Sequence, residues 1–187
     1  DESLEHLSGM NQLRTLRLNK TGITDVGMQH IAGMTGLRKI DLSNTYITDA
    51  GLAYLTNISS LTMLDLSDAV NITDKGLAML ATHRSLETLS IIGTDTTDAG
   101  IEKLTALPKL QKLYLARTGL TDIGLAHVAT LPDLQVLDLR LTKITNDGLK
   151  QLSGLTDLRE IDLAATRISD AGLEHLATLD SLEELRL

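Results

Sequence analysis

Carboxylates recur at one position along this sequence, and such a column could carry metal chemistry. They are Asp25, Asp49, Asp74, Asp98, Asp122 and Asp170. A ladder of acids can bind calcium, but the glycine and aspartate pattern of calcium-binding β-rolls is absent here. Each acid follows a Thr or Ser and lies two residues before a glycine, an arrangement typical of a helix start. The column therefore predicts repeated helix capping.

Histidines are the second group that could bind a metal or catalyse a reaction. Four of them share one position of a recurring pattern: His6, His30, His127 and His175. Only His6 and His30 fall in adjacent units of that pattern, and no Asp or Glu joins them at ligand spacing. No Ser, His and Asp set is placed to activate a nucleophile. We therefore predict no catalytic residue, no metal and no cofactor.

Glycines also recur, one in the first turn of each predicted helix. They are Gly27, Gly51, Gly76, Gly100, Gly124, Gly148 and Gly172. They stand alone, so they do not form a phosphate-binding loop, and each costs up to about 1 kcal/mol of helix stability against Ala. Their repetition predicts close packing between each helix start and its neighbours.

The elements that position these residues follow from a unit of 24 residues, lengthened once to 25. Its first leucine falls at Leu13, Leu37, Leu61, Leu86, Leu110, Leu134, Leu158 and Leu182. Each unit opens with Leu-x-x-Leu-x-Leu, typical of a strand buried on one face, and Thr-Asp-x-Gly-Leu then opens a helix. A fixed period of this size predicts a solenoid of stacked units.

The repeat divides the chain into regular segments of a single domain, 1–187. They are a half repeat (1–12), seven repeats (13–36, 37–60, 61–85, 86–109, 110–133, 134–157 and 158–181) and a terminal strand (182–187). Strands are predicted near 15–18, 39–42, 63–66, 88–91, 112–115, 136–139, 160–163 and 184–187, with seven helices starting near each Thr-Asp. The first helix has no strand before it and the last strand has an open edge. We expect a flanking domain or a partner chain to cover both ends.

The motifs Leu-x-x-Leu-x-Leu and Thr-Asp-x-Gly-Leu together resemble the leucine-rich repeat family, over nearly the whole chain. The Ile-Thr-Asp-x-Gly-Leu segment resembles the repeats of F-box-type receptor proteins and related bacterial proteins, although a Thr column stands where that subclass usually has Cys or Asn. The resemblance implies an α/β fold, a leucine-rich repeat solenoid or horseshoe with a parallel sheet on the concave face and short helices on the convex face. It also implies a role in binding proteins.

Composition excludes several classes of function. The 187 residues include 17 Lys and Arg against 25 Asp and Glu, a net charge of −8, and no basic stripe offsets it, so we predict no nucleic-acid partner. No apolar run is long enough to insert into a membrane. There are no cysteines, which excludes disulfides and thiolate metal sites within the chain and leaves its compartment open.

Function is predicted on the concave face, because the stack does not dictate the outward residues of its strands. The predicted apolar contacts are Tyr114 at the centre, with Ile92, Met63, Val136 and Leu141. The predicted charged contacts are Arg117, Arg140, Asp41, Asp65, Asp138 and Asp162. Asp41 beside Asp65, and Asp138 beside Asp162, would repel each other and favour a basic group on a partner. The alternative is solvated acids balanced by Arg38, Lys39, Lys112 and Arg140.

The sequence favours a non-catalytic protein–protein interaction module that is part of a larger protein. The extra residue of the third repeat, within 67–71, is expected to re-aim side chains beside the concave face. Three alternatives remain open: an extracellular or cell-surface structural repeat protein, the substrate-recognition domain of a ubiquitin-ligase-like assembly, and an enzyme whose catalytic domain lies outside this chain.

Overall fold

A computed structural model describes all 187 residues and shows one open parallel sheet whose eight strands lie in sequence order. The strands are β1 (Thr15–Arg17), β2 (Lys39–Asp41), β3 (Met63–Asp65), β4 (Thr88–Ser90), β5 (Lys112–Tyr114), β6 (Val136–Asp138), β7 (Glu160–Asp162) and β8 (Glu184–Arg186). Each lies inside its predicted range, and equivalent residues of adjacent repeats pair, as Ile40 does with Leu64. The solenoid prediction is confirmed.

Seven short helices return the chain from one strand to the next. They are α1 (Asp25–Met28), α2 (Asp49–Leu52), α3 (Asp74–Leu80), α4 (Asp98–Leu104), α5 (Asp122–Val128), α6 (Asn146–Leu149) and α7 (Asp170–Leu173). Segments of 3-10 helix open the chain or extend four of these helices, at Glu2–Leu7, Gln29–Ile31, Ala53–Leu55, Lys150–Gly154 and Glu174–Thr178. None of the helices has the length and hydrophobicity needed to cross a membrane.

A continuous core runs along the stack between sheet and helices and contains 45 buried apolar residues. Two polar residues interrupt its columns. His83 occupies a position held by Leu, Ile or Met in the other repeats, is 1% exposed, and its Nε2 lies 2.9 Å from the carbonyl oxygen of Leu55. Thr96 replaces an inward Ile, and its hydroxyl lies 3.1 Å from that of Thr94. Both polar groups are therefore partnered, as burial requires.

The aspartate column caps helices, but each acid caps the helix of the following repeat. Asp25 accepts hydrogen bonds from the backbone N–H and the hydroxyl of Thr48, at 2.8 and 2.7 Å. The hydroxyl of Thr48 in turn accepts from the N–H of Ala50 at 3.2 Å, which caps α2. Asp1 bonds Thr24 in the same way. These rungs form a ladder, here called the aspartate ladder, that ties each repeat to the next.

The glycine column is a consequence of the aspartate ladder. A Cβ added to Gly51 would lie 2.3 Å from the Oδ1 of Asp25, and one added to Gly124 would lie 2.3 Å from the Oδ1 of Asp98. Real Cβ atoms do not approach an oxygen so closely, so only glycine allows the carboxylate to reach over the next helix start. This close approach explains why the glycines recur.

One rung of the ladder has different chemistry. Asn146 takes the place of the acid and Ser169 the place of the threonine. The side-chain oxygen of Asn146 accepts from the N–H of Ser169 at 3.0 Å, and its amide donates to the Ser169 hydroxyl at 2.8 Å. Ser169 makes no side-chain capping bond to α7. The junction between the sixth and seventh repeats is therefore less completely bonded than the others.

The turn after each strand has a regular conformation. The threonine of this turn bonds within its own repeat rather than to a neighbouring one: the hydroxyl of Thr45 donates to the carbonyl of Leu42 at 2.6 Å. One residue of each turn adopts a left-handed conformation, with φ between 54 and 67°: Lys20, Asn44, Asp68, Gly93, Arg117, Leu141 and Ala165. The chain thereby leaves the sheet at the same rim in every repeat.

The extra residue of the third repeat lies in this turn. Two exposed residues, Val70 and Asn71, separate the buried Ala69 from the inward Ile72, whereas Tyr46 alone separates Thr45 from Ile47 in the second repeat. The pairing of β3 with β4 is unbroken, from Met63 with Thr88 to Asp65 with Ser90. The expectation that the insertion re-aims concave side chains is wrong, because it is accommodated after the left-handed residue.

Candidate binding face

The outward residues of the strands stand in straight rows on the concave face. The central row, in which each residue pairs with the next, is Arg17, Asp41, Asp65, Ser90, Tyr114, Asp138, Asp162 and Arg186. Adjacent members are separated by the strand spacing of about 4.8 Å. The structure thus brings the two acid pairs and Tyr114 together on one surface, in the predicted order.

Apolar side chains lie at the middle of this face. Ile92 and Tyr114, both half-buried, line two adjoining hollows of about 340 and 260 Å³. Met63 lines the larger hollow and Val136 the smaller one. Val136 is only 8% exposed, so it forms part of the floor and offers little area to a partner. Met63, which is also half-buried, Ile92 and Tyr114 are therefore the main apolar groups available on the concave face.

The acid pair of β6 and β7 is neutralised within the protein. Arg140 contacts both carboxylates: its Nη2 lies 2.7 Å from Asp138 Oδ2 and its Nε lies 3.4 Å from Asp162 Oδ2. Arg186 lies 3.7 Å from the same oxygen of Asp162. The hydrogen bonds that Arg140 donates to Asp138 raise the pKa of Arg140 further above its usual value, and the charge of Asp138 adds to this effect. Repulsion between these acids, expected from their spacing, is offset by Arg140.

The acid pair of β2 and β3 is not neutralised in this way, although Arg17 stands beside Asp41 on β1. Asp41 Oδ1 accepts from the backbone N–H and the hydroxyl of Ser43, at 3.0 and 2.7 Å. Asp65 Oδ1 is bonded in the same way by Ser67, at 2.9 and 2.6 Å. No Lys or Arg forms an ion pair with either carboxylate. Arg38, Lys39 and Lys112, the other cations expected to balance the acids, form no ion pair at all. The two pairs therefore differ in charge.

Tyr114 stands between these pairs, and its ionisation reflects their charge. Burial raises the pKa of its hydroxyl above the usual value, and the carboxylates of Glu160, Asp138 and Asp65 raise it further by repelling the phenolate. These carboxylates lie on strands to either side of Tyr114, Asp65 on β3 and the other two on β6 and β7.

The rim where the strands end carries the other two predicted residues. Leu141 is 56% exposed and adopts φ 56°, a conformation that is uncommon for a bulky side chain. Arg117 donates from Nη2 to Asp68 Oδ1 at 2.7 Å and so connects the fifth repeat to the third, across the fourth. A Cβ on the intervening Gly93 would lie 2.5 Å from that oxygen, so this ion pair requires the glycine.

The potential metal ligands of the sequence are the aspartate column and the histidines. No group of three or more His, Asp or Glu side chains is arranged to hold a metal ion. The aspartate column is engaged by threonines of the following repeat, as in the bond from Thr73 to Asp49. The shared position of the four histidines does not bring a set of ligands together.

Sequence reasoning missed several residues. Tyr46 and Val70 are 68% and 61% exposed on the rim of adjacent repeats, and Val26 and Ile123 are 57% and 68% exposed at helix starts. Tyr46 could have been found, because the other repeats of normal length have Gly, Asp, Lys or Arg at its position. These side chains form a flank, outside the concave face, that also offers apolar area.

Comparisons with known proteins agree with this architecture. A family model described as "Leucine rich repeat" matches residues 11–72 and 108–168, together more than half of the chain. The solved structure of internalin C2 from Listeria monocytogenes is 30% identical in sequence and superposes with a TM-score of 0.75, covering 94% of this chain and 71% of that one. A search of curated proteins gives no significant match. These matches do not test the likeness to F-box-type repeats, which stays a prediction.

Proposed function

Because the chain belongs to the leucine-rich repeat family, we propose that it is a non-catalytic module that binds a protein partner on the concave face of its sheet. Repeats of this family and an internalin-like fold are typical of protein-interaction modules, and such folds are typically not enzymes. The proposal concerns the face that binds and the residues that contact the partner.

The observation that supports this face is the half-buried pair Ile92 and Tyr114 at its centre. The stack requires no apolar residue at either position, since the corresponding residues of other repeats include Asn19, Ser43 and Asp41. Tyrosine is enriched among residues that dominate binding energy, particularly near the middle of an interface. The two hollows beside Tyr114 can each receive a side chain of a partner.

The test has two steps. A protein partner is first captured with the intact protein, and it is then titrated against single variants. Tyr114→Ala should weaken binding by about 2 kcal/mol, near thirtyfold, because it removes the central anchor. Tyr114 is half-buried on the surface and outside the continuous core, so the fold should persist.

Two controls locate the working surface. Lys103→Ala changes an exposed residue of α4 on the convex side, and Tyr46→Ala removes an exposed tyrosine from the flank. Both should leave affinity within about twofold. If Lys103→Ala or Tyr46→Ala weakens binding and Tyr114→Ala does not, the partner binds the convex side or the flank and the proposal is wrong.

A second candidate is a structural repeat protein that packs laterally, and the flank favours it. Tyr46 and Val70 are exposed on adjacent repeats, where a neighbouring molecule could cover both. Replacing both by Ser should then abolish self-association in sedimentation, while Tyr114→Ala should leave it unchanged. A monomer at high concentration would exclude this candidate.

A further inference from the structure

We propose that the concave face takes an arginine of its partner between Asp41 and Asp65, with an apolar side chain of the same segment above Ile92 and Tyr114. This inference rests on the proposed function and assigns the chemistry of the bound segment. It departs from the sequence-based expectation, in which both acid pairs were equivalent contacts for a basic group.

The internal pair Asp138 and Asp162 shows how this sheet receives a guanidinium. Arg140 lies two residues after Asp138, and its backbone N–H donates to Asp138 Oδ1 at 3.1 Å. Its side chain turns back, contacts both oxygens of Asp138 at 3.0 and 2.7 Å, and reaches Asp162 on the next strand. Planar guanidinium suits such a contact with carboxylates better than ammonium does.

The pair Asp41 and Asp65 has the same backbone arrangement without the arginine. Ser43 lies two residues after Asp41 and donates its backbone N–H to Asp41 Oδ1 at 3.0 Å, as Arg140 does to Asp138. Its short side chain bonds Asp41 and leaves the second carboxylate oxygen without a protein partner. Two adjacent carboxylates that no cation contacts repel each other, and a cation supplied by a partner removes that repulsion.

Apolar side chains beside Asp65 add a second kind of contact to the charge interaction with the arginine. One hollow of about 340 Å³ is lined by Asp65, Met63, Ile92 and Tyr114. The methylene stem of an arginine can lie along Met63 while its guanidinium reaches Asp65. Tyr114 is two strands from Asp65, about 10 Å, so a neighbouring residue of the same segment reaches Ile92 and Tyr114. After burial, the carboxylates of Glu160, Asp138 and Asp65 also raise the pKa of Tyr114, so negative charge lies near this part of the face.

The experiment selects peptides rather than assuming a partner. A phage library of random peptides is panned on the intact folded protein, and peptides that also bind Tyr114→Ala are discarded. The enriched peptides should share an arginine next to or one residue from an apolar residue. A synthetic copy of one such peptide is then titrated by calorimetry against three variants.

The variants separate charge from fold. Asp41→Asn with Asp65→Asn keeps side-chain oxygens that accept from Ser43 and Ser67 but removes both charges, and affinity should fall about tenfold or more. Ser43→Arg should place an internal guanidinium between the acids, as Arg140 does, and block the peptide to the same degree. Gln151→Arg, on an exposed helical position, makes the same charge change as a control and should leave affinity within about twofold.

The outcomes distinguish this inference from the proposed function. Peptides that depend on Tyr114 but carry no arginine, or that bind the Asn variant and Ser43→Arg as tightly as wild type, overturn the arginine site and leave the concave binding face standing. A library that yields no peptide dependent on Tyr114 overturns both. Loss of affinity in Gln151→Arg equal to that in Ser43→Arg reduces the effect to net charge and also overturns the site.

Discussion

Asn146→Asp should stabilise the junction between the sixth and seventh repeats. The replacement gives this rung of the aspartate ladder the carboxylate that the other rungs have. The Ser169 hydroxyl can then donate to the carboxylate, as the Thr121 hydroxyl donates to Asp98 at 2.6 Å. The oxygen of the Ser169 hydroxyl is then free to accept a hydrogen bond from the N–H of Ala171 and so to cap α7, a bond that is absent in the present structure.

The magnitude follows from the bonds that change. A hydrogen bond to a charged group contributes about 1.5–3 kcal/mol against about 0.5–1.5 for a neutral one, and a helix cap contributes about 1 kcal/mol. Asp147 is next in the chain and places a second negative charge nearby, although it is exposed and paired with Lys150. We therefore expect a gain of about 1 kcal/mol, at the low end, or about 2–4 °C in Tm for a chain of this length.

Hydrogen exchange is the sharper assay, because solenoids can unfold one end at a time. The amides of Ser169 and Ala171 should exchange about fivefold more slowly in Asn146→Asp than in wild type. The matched reverse change is Asp98→Asn, which should lower stability by about the same amount and accelerate exchange at the N–H of Thr121. Urea unfolding of both variants gives the global values.

Unchanged exchange at Ser169 and Ala171 in Asn146→Asp, together with unchanged stability of Asp98→Asn, would contradict this prediction. The charge of the acid would then be unimportant, and the close fit of the side chain against the next glycine would alone hold adjacent repeats together.

Other substitutions test the close contacts and the rim. Gly124→Ala should cost about 2 kcal/mol or more in urea unfolding, because its Cβ would meet Asp98, whereas Gly154→Ala, which has no atom within 4 Å, should cost almost nothing. Leu141→Asn should raise stability by about 1 kcal/mol, since Asn tolerates the left-handed conformation, and should weaken peptide binding in the same calorimetric assay. Tyr114 should ionise at a higher pH than free tyrosine in an absorbance titration, because its folded pKa is raised. Its contribution to stability is then present below about pH 10 and lost as pH rises through the folded pKa, a loss that Tyr114→Phe should lack. A difference between the wild-type and Tyr114→Phe titrations whose midpoint lies at or below that of free tyrosine would contradict the raised pKa.

The repeat predicts the strands and helix starts closely, because a fixed period leaves one register in which the recurring leucines face the core. It does not predict the direction of the ladder. Asp25 follows Thr24 in the chain but bonds Thr48 in the next repeat, and periodic spacing is the same for both arrangements. The repeated glycines predict close packing at each helix start, but not that a carboxylate of the preceding repeat fills the space.

The candidate face was predictable in its rows but less so in its charges. Alternation along each strand places Asp41, Asp65, Asp138 and Asp162 on one surface. Which pair is neutralised depends on how a long side chain folds back, and Arg140 and Ser43 differ in that respect although their backbones match. The buried His83 was not predicted. It stands in a column that is otherwise Leu, Ile or Met, so the only signal was a departure from the repeat and not a motif.

The ladder has a direction along the polypeptide. Asp1 caps the helix of the first repeat, Asp25 that of the second, and Asp49 that of the third, so each helix start as far as α6 is completed by a carboxylate synthesised before it. During translation every new repeat can therefore fold onto a neighbour that already presents its capping group. The reverse order would leave each helix start without its cap until the preceding repeat had folded. The ladder therefore allows folding to proceed from the N-terminus one repeat at a time.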